Sequence, residues 1–367
     1  MDPATPQPVL TPLTKSAIFL VYTVRPGGED QVRDVLGEFT GYVRTVASRA
    51  PQGRVTGVVG IGSAAWDRLF AGPRPSKLHP FPPLQGAVHS APSTPGDLLF
   101  HLRADSMDLC FELATVLAGK LAGAVELQDE THGFRYFDAR DVIGFVDGTE
   151  NPGVNEIADS AIVDPAAEPA ELAGGSYATV QKYTHDMDAW NGVSVEEQER
   201  AIGRHKWDNV EMEDGVKPDN SHSSITTIED EDGVQRKILR DNMPFGRPGS
   251  GEFGTYFISY ASDIDVTEEM LRNMFIGRPP GQHDRLLDFS TAHTGGNFFA
   301  PSLDFLDGLP PAPGAGDQGT TTAAASARAE EDPGAEPGAE PSGSEAACLP
   351  DGCLGIGSLK GQPQRRP

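Results

Sequence analysis

The feature that most restricts how this chain can fold is the order in which its hydrophobic period changes. Ala17 to Val24 (AIFLVYTV) is an unbroken run of β-branched, aromatic and other apolar residues that stops at Pro26 and a glycine pair. The next segment switches to helical spacing, with Val32, Val35, Phe39, Val43 and Val46 recurring between Glu29 and Ser48. A strand followed directly by an amphipathic helix is therefore predicted. Strands follow at Arg54 to Ile61 and Asp97 to Arg103 (DLLFHLR), then a helix at Met107 to Leu121 and a longer strand at Ala124 to Phe137.

The order β-α-β-β-α-β is that of a ferredoxin-like unit. Later residues repeat similar parts in similar order: a strand at Tyr177 to Tyr183, a helix around Val195 to Ile202, a strand leading to Arg240, a strand at Gly254 to Ala261 (GTYFISYA) and a helix at Thr267 to Phe275. The expected class is α+β, two ferredoxin-like units packed together in the manner of a dimeric α+β barrel. We expect the halves at residues 1–140 and 141–308, a disordered linker at 309–350 and a short terminal peptide at 351–367.

That linker is read from composition. From Pro310 to Ala347 the chain is rich in Pro, Gly, Ala and Glu and nearly free of large apolar residues, so burial cannot offset the entropy of ordering it. Over the whole chain of 367 residues the formal charge is −25, which argues against nucleic acid or anionic lipid as a partner. No stretch reaches about 18 consecutive apolar residues, and the first residues carry neither twin arginines nor an apolar core before a cleavage site. A cytoplasmic, soluble protein is expected. Cys110, Cys348 and Cys353 are the only cysteines; an odd count suits free thiols better than a disulfide framework or a zinc site.

Three stretches can carry chemistry. Ile143 to Pro152 (IGFVDGTENP) ends a strand in glycine, acid and proline, so Asp147 is either a turn residue or an acid/base group at a strand mouth. Asn220 to Thr227 (NSHSSITT) sets His222 among hydroxyl residues, as a capped surface histidine or as a single axial ligand of the kind haem requires. Ile238 to Phe245 (ILRDNMPF) carries Arg240 in an apolar strand, where its charge needs a carboxylate, a propionate or a reacting anion. Trp66, Trp190, Trp207 and the seven tyrosines serve either packing or electron transfer.

In this order GFVDGTENP, the histidine at 222, RDNMPFG, GTYFISYA, NMFIG and DRLLDFSTAHTG resemble the dye-decolorizing peroxidase family, in its bacterial B or P branch. The resemblance runs from Ala17 to about Phe305, and Gly144 to Gly148 is its most specific element. It implies two ferredoxin-like halves with haem b in the second, hydrogen peroxide as oxidant, a ferryl intermediate, and dyes, phenols or other small molecules as reductants. It further implies His222 as the proximal ligand of the haem iron, with Asp147, Arg240 and Asn242 on the distal side. Asp284, or else Asp288, would take the hydrogen bond of the axial imidazole. Arg204 would touch a haem propionate, unless it is an exposed arginine at a helix end. A carboxylate shuttle titrates well below a histidine one, so turnover is expected to be best in acid. The alternative is a protein that holds haem or releases its iron without significant peroxidase turnover.

Beyond the linker, Leu354 to Lys360 (LGIGSLK) resembles the peptide by which cargo enzymes dock inside encapsulin shells. The resemblance implies that Leu354, Ile356 and Leu359 fill pockets on the shell's inner wall, with the linker as tether. The implied location is thus the cytoplasm, inside an encapsulin nanocompartment, with the enzyme itself a homo-oligomer.

Overall fold

The computed structural model describes residues 4–314. Cys348, Cys353, Leu354, Ile356 and Leu359, and with them most of the expected linker and all of the terminal peptide, lie outside the described residues.

Strand β1 (Ser16–Val24) is buried on both faces, which is why its sequence does not alternate. Ile18, Leu20, Tyr22 and Val24 face one side, while Ala17, Phe19 and Val21 face the other. Helix α1 (Glu29–Arg49) buries Val32, Val35, Leu36, Phe39 and Val46 in one stripe and starts with two acidic residues, as its dipole favours. Strands β2 (Thr56–Gly62) and β3 (Leu98–Ala104), helix α2 (Met107–Lys120) and strand β4 (Val125–Phe134) complete the first half. Pairing is antiparallel throughout, in the order β4-β1-β3-β2. The two helices cover one face, where Phe39, Leu113 and Leu117 join Ile18, Leu20 and Phe100 in a single core.

The second half repeats this arrangement. Its parts are β5 (Ser176–His185), α3 (Val195–Ile202), the short β6 (Leu239–Arg240) and β7 (Met243–Arg247), β8 (Glu252–Ala261), α4 (Ile264–Ile276) and β9 (Gly296–Ala300). Here β5 lies between β9 and β8, and β8 also pairs with β6 and β7. The order is the same as in the first half, with the fourth role divided between β6 and β7. The halves join edge to edge, Phe298 of β9 opposite Gly62 of β2 and Phe299 opposite Ile61, so one sheet of ten strands runs through both.

The sheet curls until its far parts meet. Phe19 of β1 stacks on Tyr256 of β8 with ring centroids 4.0 Å apart. A Cβ on Gly133 of β4 would stand 2.4 Å from the Cβ of Met243 in β7, so this approach admits only glycine. The curled interior is apolar, filled by Val58, Leu99, Val180, Ile258 and Phe298, with one polar cluster inside it. Arg103 of β3 donates to Asp241 at 2.5 Å and to the carbonyls of Thr11 and Pro8. His101, on the same face of β3, contacts the Tyr260 hydroxyl at 2.9 Å. Among the described residues no helix is long and apolar enough to cross a membrane.

Two consequences can be measured. Arg103 and Asp241 are both buried, so Asp241→Ala strands a charge and should cost about 3–5 kcal/mol in denaturant unfolding. A loss under about 1 kcal/mol would mean that the pair is not structural. Burial, assisted by the neighbouring Arg103 charge, holds the His101 imidazole well below its ordinary range. The folded state therefore favours neutral His101, and its contribution is complete above the unfolded value near 6.5 and lost as pH falls below it. Unfolding free energy should fall on acidification below about pH 6.5, by up to ~1.4 kcal/mol per pH unit for this group, the thermal midpoint falling with it, and less steeply in His101→Phe. Equal slopes for parent and variant would exclude this cause.

Candidate functional site

On the outer face of the second half, between the sheet and α4, lies an open cavity. Tyr183, His185, Thr255 and Phe257 of the sheet form its floor, and Met270, Leu271 and Met274 of α4 its roof. Loops close the ends: His222, Thr226 and Leu287 on one side, Asp147, Arg240 and Asn242 on the other. The mostly apolar lining with a few convergent polar groups is that of a small-molecule or cofactor site.

His222 opens a single helical turn, His222–Ile225, capped by Ser221. Its Nδ1 lies 2.6 Å from Oδ2 of Asp284, whose side chain is fully buried. A carboxylate only accepts, so Nδ1 carries the hydrogen, and in the neutral ring Nε2 then keeps its lone pair. Asp284 is fixed in turn by the Leu286 amide on Oδ1 at 2.8 Å and by its own amide on the Met274 carbonyl. The two loops are also laced together, Arg285 N to Asn220 O at 3.1 Å and Asn220 Nδ2 to His283 O at 3.1 Å. Of the two carboxylates left open by the sequence, Asp284 is the one against His222. Asp288, at the end of the short turn Arg285–Asp288, points instead to His89 and His283.

The opposite wall is built from the IGFVDGTENP segment. Gly144 and Gly148 have φ of 95° and 78°, so the turn that presents Asp147 is bounded by two left-handed positions. Asp147 Oδ1 accepts from the Gly148 amide at 2.7 Å and from Asn242 Nδ2 at 3.2 Å. Asn242 Oδ1 accepts from Ile258 N, so the asparagine ties the acid to strand β8. Asn151 brackets Arg240 by accepting from its amide at 3.0 Å and donating to its carbonyl at 2.8 Å. The Arg240 guanidinium has no ion pair among the described residues, and its Nε is buried without a partner. A second hollow, shared by Asp147, Arg240 and Asn242, leads outward past Arg135, Tyr136 and Arg140.

The sequence-predicted residues Asp147, Arg240, Asn242 and His222 thus line one cavity, with Asp284 directly behind His222. Arg204 does not line it; it pairs with Glu150 at 3.2 Å and Glu211 at 3.7 Å. Trp66 and Trp190 are fully buried packing residues, whereas Trp207 is 92% exposed.

Sequence reasoning missed Asn151 and a polar group at the cavity floor. His185 contacts Ser290 Oγ at 2.8 Å and Thr255 Oγ1 at 2.9 Å, and Thr255 donates to Asp141. Burial pushes the Asp141 carboxyl up and the His185 imidazole down, each partly countered by the other's charge. The cavity floor therefore favours uncharged forms. The only signal for Asn151 was the polar letter in GTENP; the floor residues had none.

Family models described as the N-terminal and C-terminal parts of Dyp-type peroxidase match residues 6–135 and 138–305. The chain belongs to the Dyp-type peroxidase family. It is 54% identical over 363 residues to a dye-decolorizing peroxidase of Rhodococcus erythropolis, covering 99% of both chains. Among solved structures it resembles the encapsulated DyP-type peroxidase from Mycobacterium smegmatis, with 58% identity, a TM-score of 0.82 and coverage of 84% of this chain and 100% of that one. It also resembles an aspartate-to-alanine variant of DypB from Rhodococcus jostii in complex with heme, with 53% identity and a TM-score of 0.80, covering 83% and 98%. The matched span of the family models ends where the described fold ends, in the last buried helical turn at Leu303–Asp307.

Proposed function

We propose that this chain is a haem b peroxidase that reduces hydrogen peroxide and oxidises dyes, phenols or other small reductants. The observation that carries the reading is the pairing of opposite walls: an imidazole backed by a buried carboxylate faces an aspartate, an asparagine and an arginine with no ion pair among the described residues, across one mostly apolar cavity. These residues fit haem. His222 would hold its iron, the apolar side chains of the lining would pack against the porphyrin, and the orphaned Arg240 Nε would meet an anionic or polar oxygen. The heme complex of the 53% identical DypB variant supports the same cofactor here. Arg204 would reach a ring carboxylate only from the rim, with its buried, unpartnered Nε.

When bound, haem supplies a redox-active iron with four in-plane ligands, so the protein needs to provide one axial atom and a distal environment. Asp284 holds the Nδ1 hydrogen of His222 and thereby aims Nε2 and raises its donor strength. Asp147 keeps Oδ1 occupied by Gly148 and Asn242, which leaves Oδ2 to take a proton from one oxygen of hydrogen peroxide and return it to the other. Arg240 cannot act as base, but its permanent charge stabilises the negative charge that develops on the departing oxygen in a dry cavity. Asn242 positions Asp147. The relatives that match this chain over nearly its full length at 52–54% identity are dye-decolorizing peroxidases, which favours peroxide reduction over a haem carrier or an iron-releasing protein.

The terminal peptide completes the reading. Leu354, Ile356 and Leu359 would seat in an encapsulin shell, placing a homo-oligomeric enzyme in a nanocompartment within the cytoplasm; support comes from the encapsulated M. smegmatis relative.

Purified protein should show a Soret band that His222→Ala loses together with bound haem, and retention of both would overturn the reading. Arg240→Ala should keep haem yet react with peroxide at least ~10²-fold more slowly in stopped flow, the cost of one electrostatic stabiliser; the parent rate would remove Arg240 from the mechanism. Deleting Leu354 to Pro367 should leave turnover intact and abolish co-purification with a co-expressed shell. Unchanged encapsulation would refute the docking role.

A further inference from the structure

Outside the cavity, two imidazoles and one carboxylate converge at the surface. His89 lies in the turn of a two-stranded hairpin, Leu84–Gln85 with Ser90–Ala91, which Gly86 closes by donating its amide to the His89 carbonyl at 2.9 Å. His283 and Asp288 flank the turn that carries Asp284. Nε2 of His283 is 2.9 Å and Nε2 of His89 3.2 Å from the same oxygen, Oδ1 of Asp288. The three potential ligand atoms all lie within 4.8 Å of one another. The side chains are 21%, 19% and 42% exposed, so water reaches the cluster while the rings stay partly fixed.

We propose that His89, His283 and Asp288 form a binding site for a divalent transition cation of the zinc class. Imidazole nitrogens with one carboxylate oxygen suit zinc, copper and nickel, not magnesium or calcium, which prefer all-oxygen shells. Bonds of about 2.0–2.1 Å to zinc in a tetrahedron set donor atoms roughly 3.4 Å apart, close to the two nitrogen–oxygen distances found here. Three protein ligands leave a fourth position for solvent on the exposed side of Asp288. The formal charge of −25 attracts cations to the surface generally, but only this group among the described residues gathers three such ligand atoms. Without an ion, both imidazoles share one carboxylate oxygen as acceptor; with one, the same three atoms become its donors.

The cation would clip the hairpin at residues 84–91 onto the loop at 283–288. That loop carries Asp284, so the clip would brace the carboxylate behind His222. This consequence rests on the haem reading above, whereas cation binding does not.

The test uses full-length protein loaded with haem, stripped of adventitious metal by chelator and titrated with zinc by calorimetry. The parent should bind one equivalent, His89→Ala and His283→Ala should each weaken binding about tenfold or more, and Cys348→Ser/Cys353→Ser should bind as the parent does. Zinc should also raise the thermal midpoint of the parent and not that of His89→Ala, with the Soret band of both unchanged as evidence of folding. Crystals of the parent grown with zinc should give an anomalous peak among the three side chains. No saturable binding, binding that survives both histidine variants, or binding that follows the cysteines overturns the proposal. Loss of peroxidase activity with zinc binding intact would strike the haem reading alone.

Discussion

Inside the curled sheet, the ion pair between Arg103 and Asp241 ties the first half of the chain to the segment that presents the cavity's charged wall. Arg103 comes from β3, Asp241 from the short stretch between β6 and β7. Successive side chains of an extended segment point to opposite faces. With Asp241 anchored inward, Arg240 and Asn242 must point outward to the cavity, where both are found. A slip of one residue would bury the arginine in the interior and send the acid to the cavity. Burying two charges costs desolvation that their attraction barely offsets; the gain is that only one register satisfies both.

The two walls of the cavity are secured differently. Behind His222 the support is a relay of short local bonds within one pair of loops, ending at the Leu286 and Met274 backbone. The Arg240 wall is held at a distance: Asn151 clasps its backbone from 89 residues away and leaves the guanidinium uncommitted. Backbone clasping fixes position without consuming charge. Asp141, which could have neutralised a cation, is spent on Thr255 and His185 at the floor. The arginine thus remains the cavity's unneutralised positive charge among the described residues, which is what stabilising an anion at that wall requires.

Much of this was legible in the sequence because it is written at short range. The unbroken run at Ala17 to Val24 announced a strand, and the repeated order of parts announced two similar units. The glycines at 144 and 148 framed Asp147 visibly, since left-handed turn positions demand them. What stayed hidden joins residues far apart in the chain. His185, Thr255, Ser290 and Asp141 meet only because β5, β8 and two loops are assembled, and no period links their letters. Asp284 and Asp288 stand four positions apart in DRLLDFS, and only the tight turn between them, which swings Asp288 away toward His89 and His283, separates their roles. Arg204 shows the same limit: its letter fits a family pattern, but no period in the sequence announces its ion pairs with Glu150 and Glu211.

A protein that handles peroxide must also survive it, and the burial pattern bears on this. The thiolate, not the thiol, is what peroxide oxidises. Cys110 lies on the buried face of α2, where burial first and the nearby Asp108 charge second push its thiol up to about 12. At neutral pH almost none of it is anionic, so peroxide meets no thiolate at this position. Tyr183, which lines the cavity itself, is raised by burial and by the Asp284 charge behind His222, so its phenol stays protonated. The carboxylate that fixes the His222 imidazole thus also keeps a neighbouring phenol in its less easily oxidised form, and the apolar surroundings of the cavity protect the residues packed around it.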